Sequence, residues 1–244
     1  MKIIYSLMLT TALASTSAHA NIQLTAKDGF AIKGEYFSSP STSKGAVLML
    51  HQCNYNQSMY NRIGKLLANN HIHALSIDFR GFGESKSVKY DVSNMSTLST
   101  ERRRKVWQDM SAHWPSDVQI AYDFLRKKVG AQGKIGVIGA SCGGSQAIEL
   151  GINNQIAAIS FFSSAQSEKN IKKYTASLSN TPTLIIAADE DGRTYTSAQS
   201  LFIEAQHRNS KFLAYKGKEH GYPLLDKDSN LTDAIVTWFS HQIN

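Results

Sequence analysis

Short runs of apolar residues recur along the chain, at 46–50, 74–79, 135–138, 157–162, 183–187 and 211–215. Most are continuous, too short for buried helices and without the alternation of a half-exposed strand, so they read as strands covered on both faces. Between them lie 58–69, 116–129, 145–150, 197–206 and 231–242, with apolar residues at helical spacing. Upstream, 22–25 and 31–37 flank Asp28-Gly29, a hairpin signal. Strand and helix in alternation imply an α/β fold, a mostly parallel sheet with helices on both faces and an antiparallel hairpin at its start. No repeat or low-complexity linker divides 21–244, so one domain is expected there.

Residues 1–20 read as a signal peptide: Lys2, an apolar run over 3–14, and Ala18-His19-Ala20 as the cleavage site. That run is shorter than the roughly 20 residues a spanning helix needs. The first cysteine, Cys53, lies far from the cut, so the expectation is an exported protein, periplasmic or secreted, without a membrane anchor. At 42% hydrophobic and 18% charged residues, disorder and fibrous folds are excluded. A net charge of +7 raises the question of nucleic acid. The one tight cationic cluster, Arg102-Arg103-Arg104-Lys105, reads instead as a solvated helix face, and no nucleic-acid partner is expected. Two cysteines make no disulfide scaffold and no zinc-type Cys/His spacing occurs, so neither metal nor cofactor is expected.

In parallel sheets, ligands gather beyond the carboxyl ends of the strands. There, after 135–138, stands Gly139-Ala140-Ser141-Cys142-Gly143-Gly144, a G-x-S-x-G sequence between a strand and a helix. Such a turn pushes the serine hydroxyl outward, and the glycines clear space for the adjoining strand and helix. A serine needs a base within hydrogen-bond reach and a carboxylate to orient that base. Asp189 and Asp191 follow 183–187, and His220 follows 211–215. The span from Ser141 to Asp191 suits two helix-strand units and that from Asp191 to His220 suits one, so all return to the same sheet edge.

Leu50-His51-Gln52, Asp78-Phe79-Arg80-Gly81-Phe82-Gly83-Glu84-Ser85, the serine elbow, Asp191 and His220-Gly221 together resemble the α/β-hydrolase family over nearly all of 21–244. Small size and the lack of a long cap between Phe162 and Thr183 resemble its dienelactone-hydrolase-like and small carboxylesterase branch. The resemblance implies an eight-stranded, mostly parallel sheet with a small insertion after the fourth strand. It makes Ser141 the nucleophile, His220 the general base and acid, and Asp191 the orienting carboxylate, with Asp189 as the rival. Its oxyanion donors would be the backbone N–H groups of Cys142 and Cys53, Gln52 being second choice to Cys53. Dienelactone-type relatives often carry cysteine at the elbow, which keeps Cys142 as an alternative nucleophile, although that frame lacks the leading glycine. His51 reads as a buried structural histidine, and His71, His73, His113, His207 and His241 as structural or surface residues.

Two donors aimed at one oxyanion would place Cys53 and Cys142 within disulfide span, and export permits oxidation. Whether they are joined depends on side-chain directions that the sequence leaves open. Gln52, Tyr55, Phe161 and Tyr222 adjoin strand ends and are candidate substrate contacts. Residues 86–115, with Tyr90, Met95, Trp107, Met110 and Trp114, form either a partial lid or a helix on the sheet's flank. The implied activity is serine hydrolysis of small-molecule carboxylic esters. The same triad serves a peptidase or amidase, and a non-catalytic binding protein could keep the fold. Oligomeric state and acyl or alcohol preference are not written in the sequence.

Overall fold

A computed structural model describes residues 18–40 and 42–243. Eight strands make one sheet: β1 (Ala18–Thr25), β2 (Ala31–Ser38), β3 (Gly45–Leu50), β4 (His73–Ile77), β5 (Lys134–Ala140), β6 (Ala158–Phe162), β7 (Thr183–Ala188) and β8 (Lys211–Tyr215). Their order is β1-β2-β4-β3-β5-β6-β7-β8; β2 runs antiparallel to both neighbours and the other pairs are parallel. This is the α/β-hydrolase sheet that the resemblance implies.

The continuous apolar runs are explained by two cores. In β3, Ala46, Leu48 and Leu50 enter one core, and Val47 and Met49 the other. The first core is covered by α3 (Trp114–Val129), α4 (Cys142–Asn153), α5 (Glu168–Ser177) and α6 (Gly192–Glu204). The second is covered by α1 (Asn61–Asn69), α7 (Tyr222–Lys227) and α8 (Ser229–Ile243). The edge strand β8 is half-exposed. Local signals set the helix ends: Pro115 lies in the first turn of α3, and Gly130, at φ +74°, ends it.

The structure adds elements that the periodicity did not single out. Helix α5 begins at the cap Ser167, whose side chain accepts the Asn170 N–H, and α7 follows His220 at once. Helix α2 (Thr100–Ala112) occupies the 86–115 stretch and buries only Met110. Strand β1 runs through Ala18-His19-Ala20, which pair with Ser38, Phe37 and Tyr36. The rest of the expected signal peptide, 1–17, lies outside the described residues.

One charge cluster ties two elements, α3 and the β1–β2 turn, to the end of β4. Arg80 is 1% exposed; its guanidinium donates to the wholly buried Asp117 of α3 and to Asp28 of the β1–β2 turn. Trp114 Nε1 donates to the Arg80 carbonyl, and Phe30 lies 4.3 Å under the guanidinium. Removing one partner of such a pair strands a charge in the core. Arg80→Met should therefore lower unfolding stability by about 3–5 kcal/mol in urea titration; a loss under about 1 kcal/mol would show that Asp117 finds water instead.

Candidate active site

The elbow lies between β5 and α4. Ser141 has φ +50° and ψ −115°, a region that non-glycine residues rarely occupy. Its N–H donates to the Phe162 carbonyl at 2.9 Å, and its own carbonyl accepts from Ser164 Oγ. The glycines around it mark close backbone approach. A Cβ at Gly139 would stand 2.3 Å from the Gly143 carbonyl oxygen, and one at Gly143 would stand 2.5 Å from the Leu50 carbonyl oxygen.

His220, at the end of the β8 loop, places Nε2 2.9 Å from Ser141 Oγ and Nδ1 2.7 Å from Asp191 Oδ2. A carboxylate only accepts, so Nδ1 carries the proton and Nε2 is left to accept from the serine hydroxyl. The sequence left two acids in play, and they part company here. Asp189 accepts from Lys216 Nζ at 2.6 Å and from the Gly217 N–H at 3.0 Å, and the Lys216 ammonium holds its carboxyl below the usual range. Asp191 alone of the two meets the imidazole.

Cys53 and Cys142 are joined by a disulfide, with Cα atoms 5.8 Å apart. Cys142 therefore carries no thiol, which removes it as the alternative nucleophile. By the chain-entropy account, a bridge across 89 residues adds about 4–5 kcal/mol through the unfolded state. Among the described residues, neither the Cys53 nor the Cys142 backbone N–H donates a hydrogen bond; Cys142 opens α4 and has no intrahelical acceptor.

Two of the candidate substrate contacts are corrected. Gln52 is 1% exposed; its Oε1 accepts the Tyr222 N–H at 2.7 Å and its Nε2 donates to Asn54 at 2.6 Å. It braces the loop carrying His220, where any side chain at Gly221 would collide with it. Phe161, at 1% exposure, points into the core beside Tyr174, because its place in β6 faces the core under α3–α6. Tyr55 and Tyr222 are half-buried and stack at 4.4 Å, bridging the loops after β3 and β8.

His51 is wholly buried. Its Nδ1 donates to the Gln52 carbonyl at 2.7 Å and its Nε2 accepts the Phe79 N–H at 3.0 Å, an arrangement that needs a neutral ring. Sequence reasoning passed over a polar cluster behind the elbow. Ser164, which holds the Ser141 carbonyl, accepts from Gln166 Nε2 at 2.7 Å; Gln166 in turn accepts from Ser145 and Asn170. The only available signal was the position of 163–166 just past β6.

A groove of about 1110 Å³ starts at Cys53. One wall is the loop from Asn54 to Ser58; the other is the 86–115 insertion, through Val92, Met95, Arg103, Arg104 and Trp107. Tyr90, Met110 and Trp114 of the same stretch are buried and do not line the groove. The insertion is thus a groove wall whose helix α2 buries only Met110. Asp78, at the groove floor, accepts the Gln57 and Glu84 N–H groups, each at 2.8 Å, while burial raises its carboxyl. Among the described residues no group of three or more His, Cys, Asp or Glu has the arrangement of a metal site.

The profile of a family described as serine aminopeptidase, S33, matches residues 41–167, which hold Ser141 and both cysteines. No curated protein matches the chain. Among solved structures, a dienelactone hydrolase from Anabaena variabilis is similar with TM-score 0.70 and 15% identity, over 94% of this chain and 100% of that one. An esterase of Pyrococcus furiosus is similar with TM-score 0.69 and 14% identity, over 93% and 94%. A cold-adapted esterase from an Arctic intertidal metagenomic library is similar with TM-score 0.69 and 17% identity, over 99% and 100%. At these identities the likeness is one of fold.

Burial pushes the His51 imidazole down to about 4 from 6.5. The unfolded chain then binds a proton near pH 6.5 that the folded chain refuses until about pH 4. Stability is full above that window and falls as pH drops through it, by on the order of 3 kcal/mol. Urea midpoints should therefore fall from about pH 7 to about pH 4.5; a flat profile would contradict a buried neutral His51.

Proposed function

The chain belongs to the serine aminopeptidase S33 family of α/β-hydrolases, and on that footing we propose that it is an exported serine hydrolase cleaving carboxylic esters through an acyl-enzyme. The observation that carries the reading is the relay from Ser141 Oγ through His220 to Asp191. In the proposed reaction Ser141 Oγ attacks the ester carbonyl carbon as its proton passes to His220 Nε2. Asp191 stabilises the resulting imidazolium and keeps Nδ1 protonated. The carbonyl oxygen, now an oxyanion, takes hydrogen bonds from the free N–H groups of Cys142 and Cys53. Collapse breaks the C–O bond, and His220 returns the proton to the departing alkoxide. Water then attacks the acyl carbon as its proton passes to His220, and collapse releases the acid while His220 returns that proton to Ser141 Oγ.

The groove beside Cys53 supplies space for the substrate, with Tyr55 and Trp107 as apolar contacts. Tyr222 acts at the rim through its stack on Tyr55. Ester chemistry is supported by the solved neighbours, which carry the names esterase and dienelactone hydrolase. Export is supported by the leader-like sequence pattern of residues 1–20 and by a disulfide, which persists in oxidising compartments. Cleavage after Ala20 would remove the first three residue pairs of β1 and leave the rest.

A second reading, amide or peptide hydrolysis, is favoured by the family's description as an aminopeptidase. Paired substrates with one acyl group, a p-nitrophenyl ester and a p-nitroanilide, separate the two. A higher kcat/KM on the ester is expected, and preference for the anilide would reverse the assignment.

Two variant sets test the roles. Ser141→Ala and Asp191→Asn should each lower kcat by about 10⁴-fold or more, whereas Asp189→Asn should leave it within about threefold; equal losses at both aspartates would contradict the assignment of the acid. Trp107→Ala should raise KM for aromatic or long-chain esters by about 10-fold with little change in kcat, and an unchanged KM would place the substrate outside the groove.

A further inference from the structure

We propose that the Cys53–Cys142 disulfide is the positioning element of the oxyanion hole, and that it is open to reduction from the groove. This rests on the serine-hydrolase reading, since a hole has work only if Ser141 attacks a carbonyl. The two residues whose unbonded N–H groups would hold the oxyanion are the two that the bridge joins, at a Cα separation of 5.8 Å. The bond therefore fixes the spacing of the donors directly.

Other contacts stop short of this position. Gly143 packs against the Leu50 and His51 carbonyl oxygens, which brings the elbow to the end of β3 but not to Cys53. The loop is pinned at Gln52, through the Tyr222 N–H, and at Gln57, through Asp78. Between those pins a turn bond from the Tyr55 N–H to the Gln52 carbonyl, the Gln52–Asn54 contact and the Tyr55–Tyr222 stack shape the loop, but the disulfide is the tie that joins Cys53 itself to the elbow. Both cysteines are half-buried, and Cys53 forms part of the groove wall. A small dithiol has a path to the sulfur that a core disulfide would deny.

Reduction is a two-electron exchange. A dithiol's thiolate attacks one sulfur and gives a mixed disulfide; its second thiol closes the reductant's ring; Cys53 and Cys142 leave as thiols with two protons. The chain stays intact, but the Cys53 N–H is no longer held against that of Cys142. An oxyanion donor is worth about 10²–10³ in kcat, and a displaced donor loses part of that. The ground-state ester is held by the groove, so KM should be insensitive.

The test reduces the purified native protein with excess dithiol, alkylates a sample to count thiols, and measures ester turnover where near-UV circular dichroism shows a folded chain. Two thiols per chain, kcat lower by about 10-fold or more, KM within about twofold and recovery on reoxidation are expected. The double variant Cys53→Ser/Cys142→Ser should show the same split without recovery. Folded reduced protein with full kcat would overturn the positioning role, and absence of thiols without denaturant would overturn the access from the groove. A merely stabilising bridge would lower the melting temperature and leave kcat alone. If Ser141→Ala keeps its activity, the fault lies with the serine-hydrolase reading instead.

Discussion

A serine held at φ +50° and ψ −115° is the constraint on which the site depends. Backbone in such regions costs on the order of 1–3 kcal/mol, so something must hold it. The Phe162 carbonyl accepts its N–H and Ser164 Oγ donates to its carbonyl, each bond contributing about 0.5–1.5 kcal/mol. Glycines at 139 and 143 let the strand, the helix and the end of β3 approach closely enough to close the turn. Relaxing Ser141 would carry its hydroxyl away from His220.

The rest of the site is convergence of chain ends along one sheet edge. Asp191 follows β7, His220 follows β8, and Cys53 follows β3, all beyond carboxyl ends of parallel strands. Each loop is then tied to a neighbour by a specific group. Gln52 fastens the β8 loop, the disulfide fastens the β3 loop to the elbow, and the neutral His51 pins the start of the β3 loop to Phe79. Arg80, buried against Asp117, fixes the end of β4 from which the insertion departs. The sheet supplies the direction of the side chains, and these ties supply the distances.

Strand positions were legible because burial on both faces leaves an unmistakable apolar run, as at 46–50 and 183–187. The elbow was legible because its glycines are a steric requirement written in residue type. The distinction between Asp189 and Asp191 was only partly so, since it turns on Lys216, whose approach to Asp189 is a tertiary contact. Gln52 was misread for the same reason: nothing local reveals that its amide spans to the Tyr222 N–H. Phe161 was misread because adjacency to a strand end does not say which face a side chain takes. The Ser164–Gln166 cluster had no residue-type signature, and the disulfide depended on side-chain directions fixed only when the two loops meet. Helix α5, with Ser167 at its cap, Ile171 and Tyr174 spaced along it and Leu178 just beyond its end, carried a readable pattern in residue type.

The central claim is that Ser141 is an activated nucleophile. A fluorophosphonate bonds readily to a serine whose proton is drawn off by a neighbouring base and hardly to an ordinary one, so intact-mass spectrometry with peptide mapping reads that claim directly. One phosphonyl group per chain, located on Ser141 and absent from the His220→Ala variant, is the expected result. An unmodified chain, or label on another residue, would contradict it.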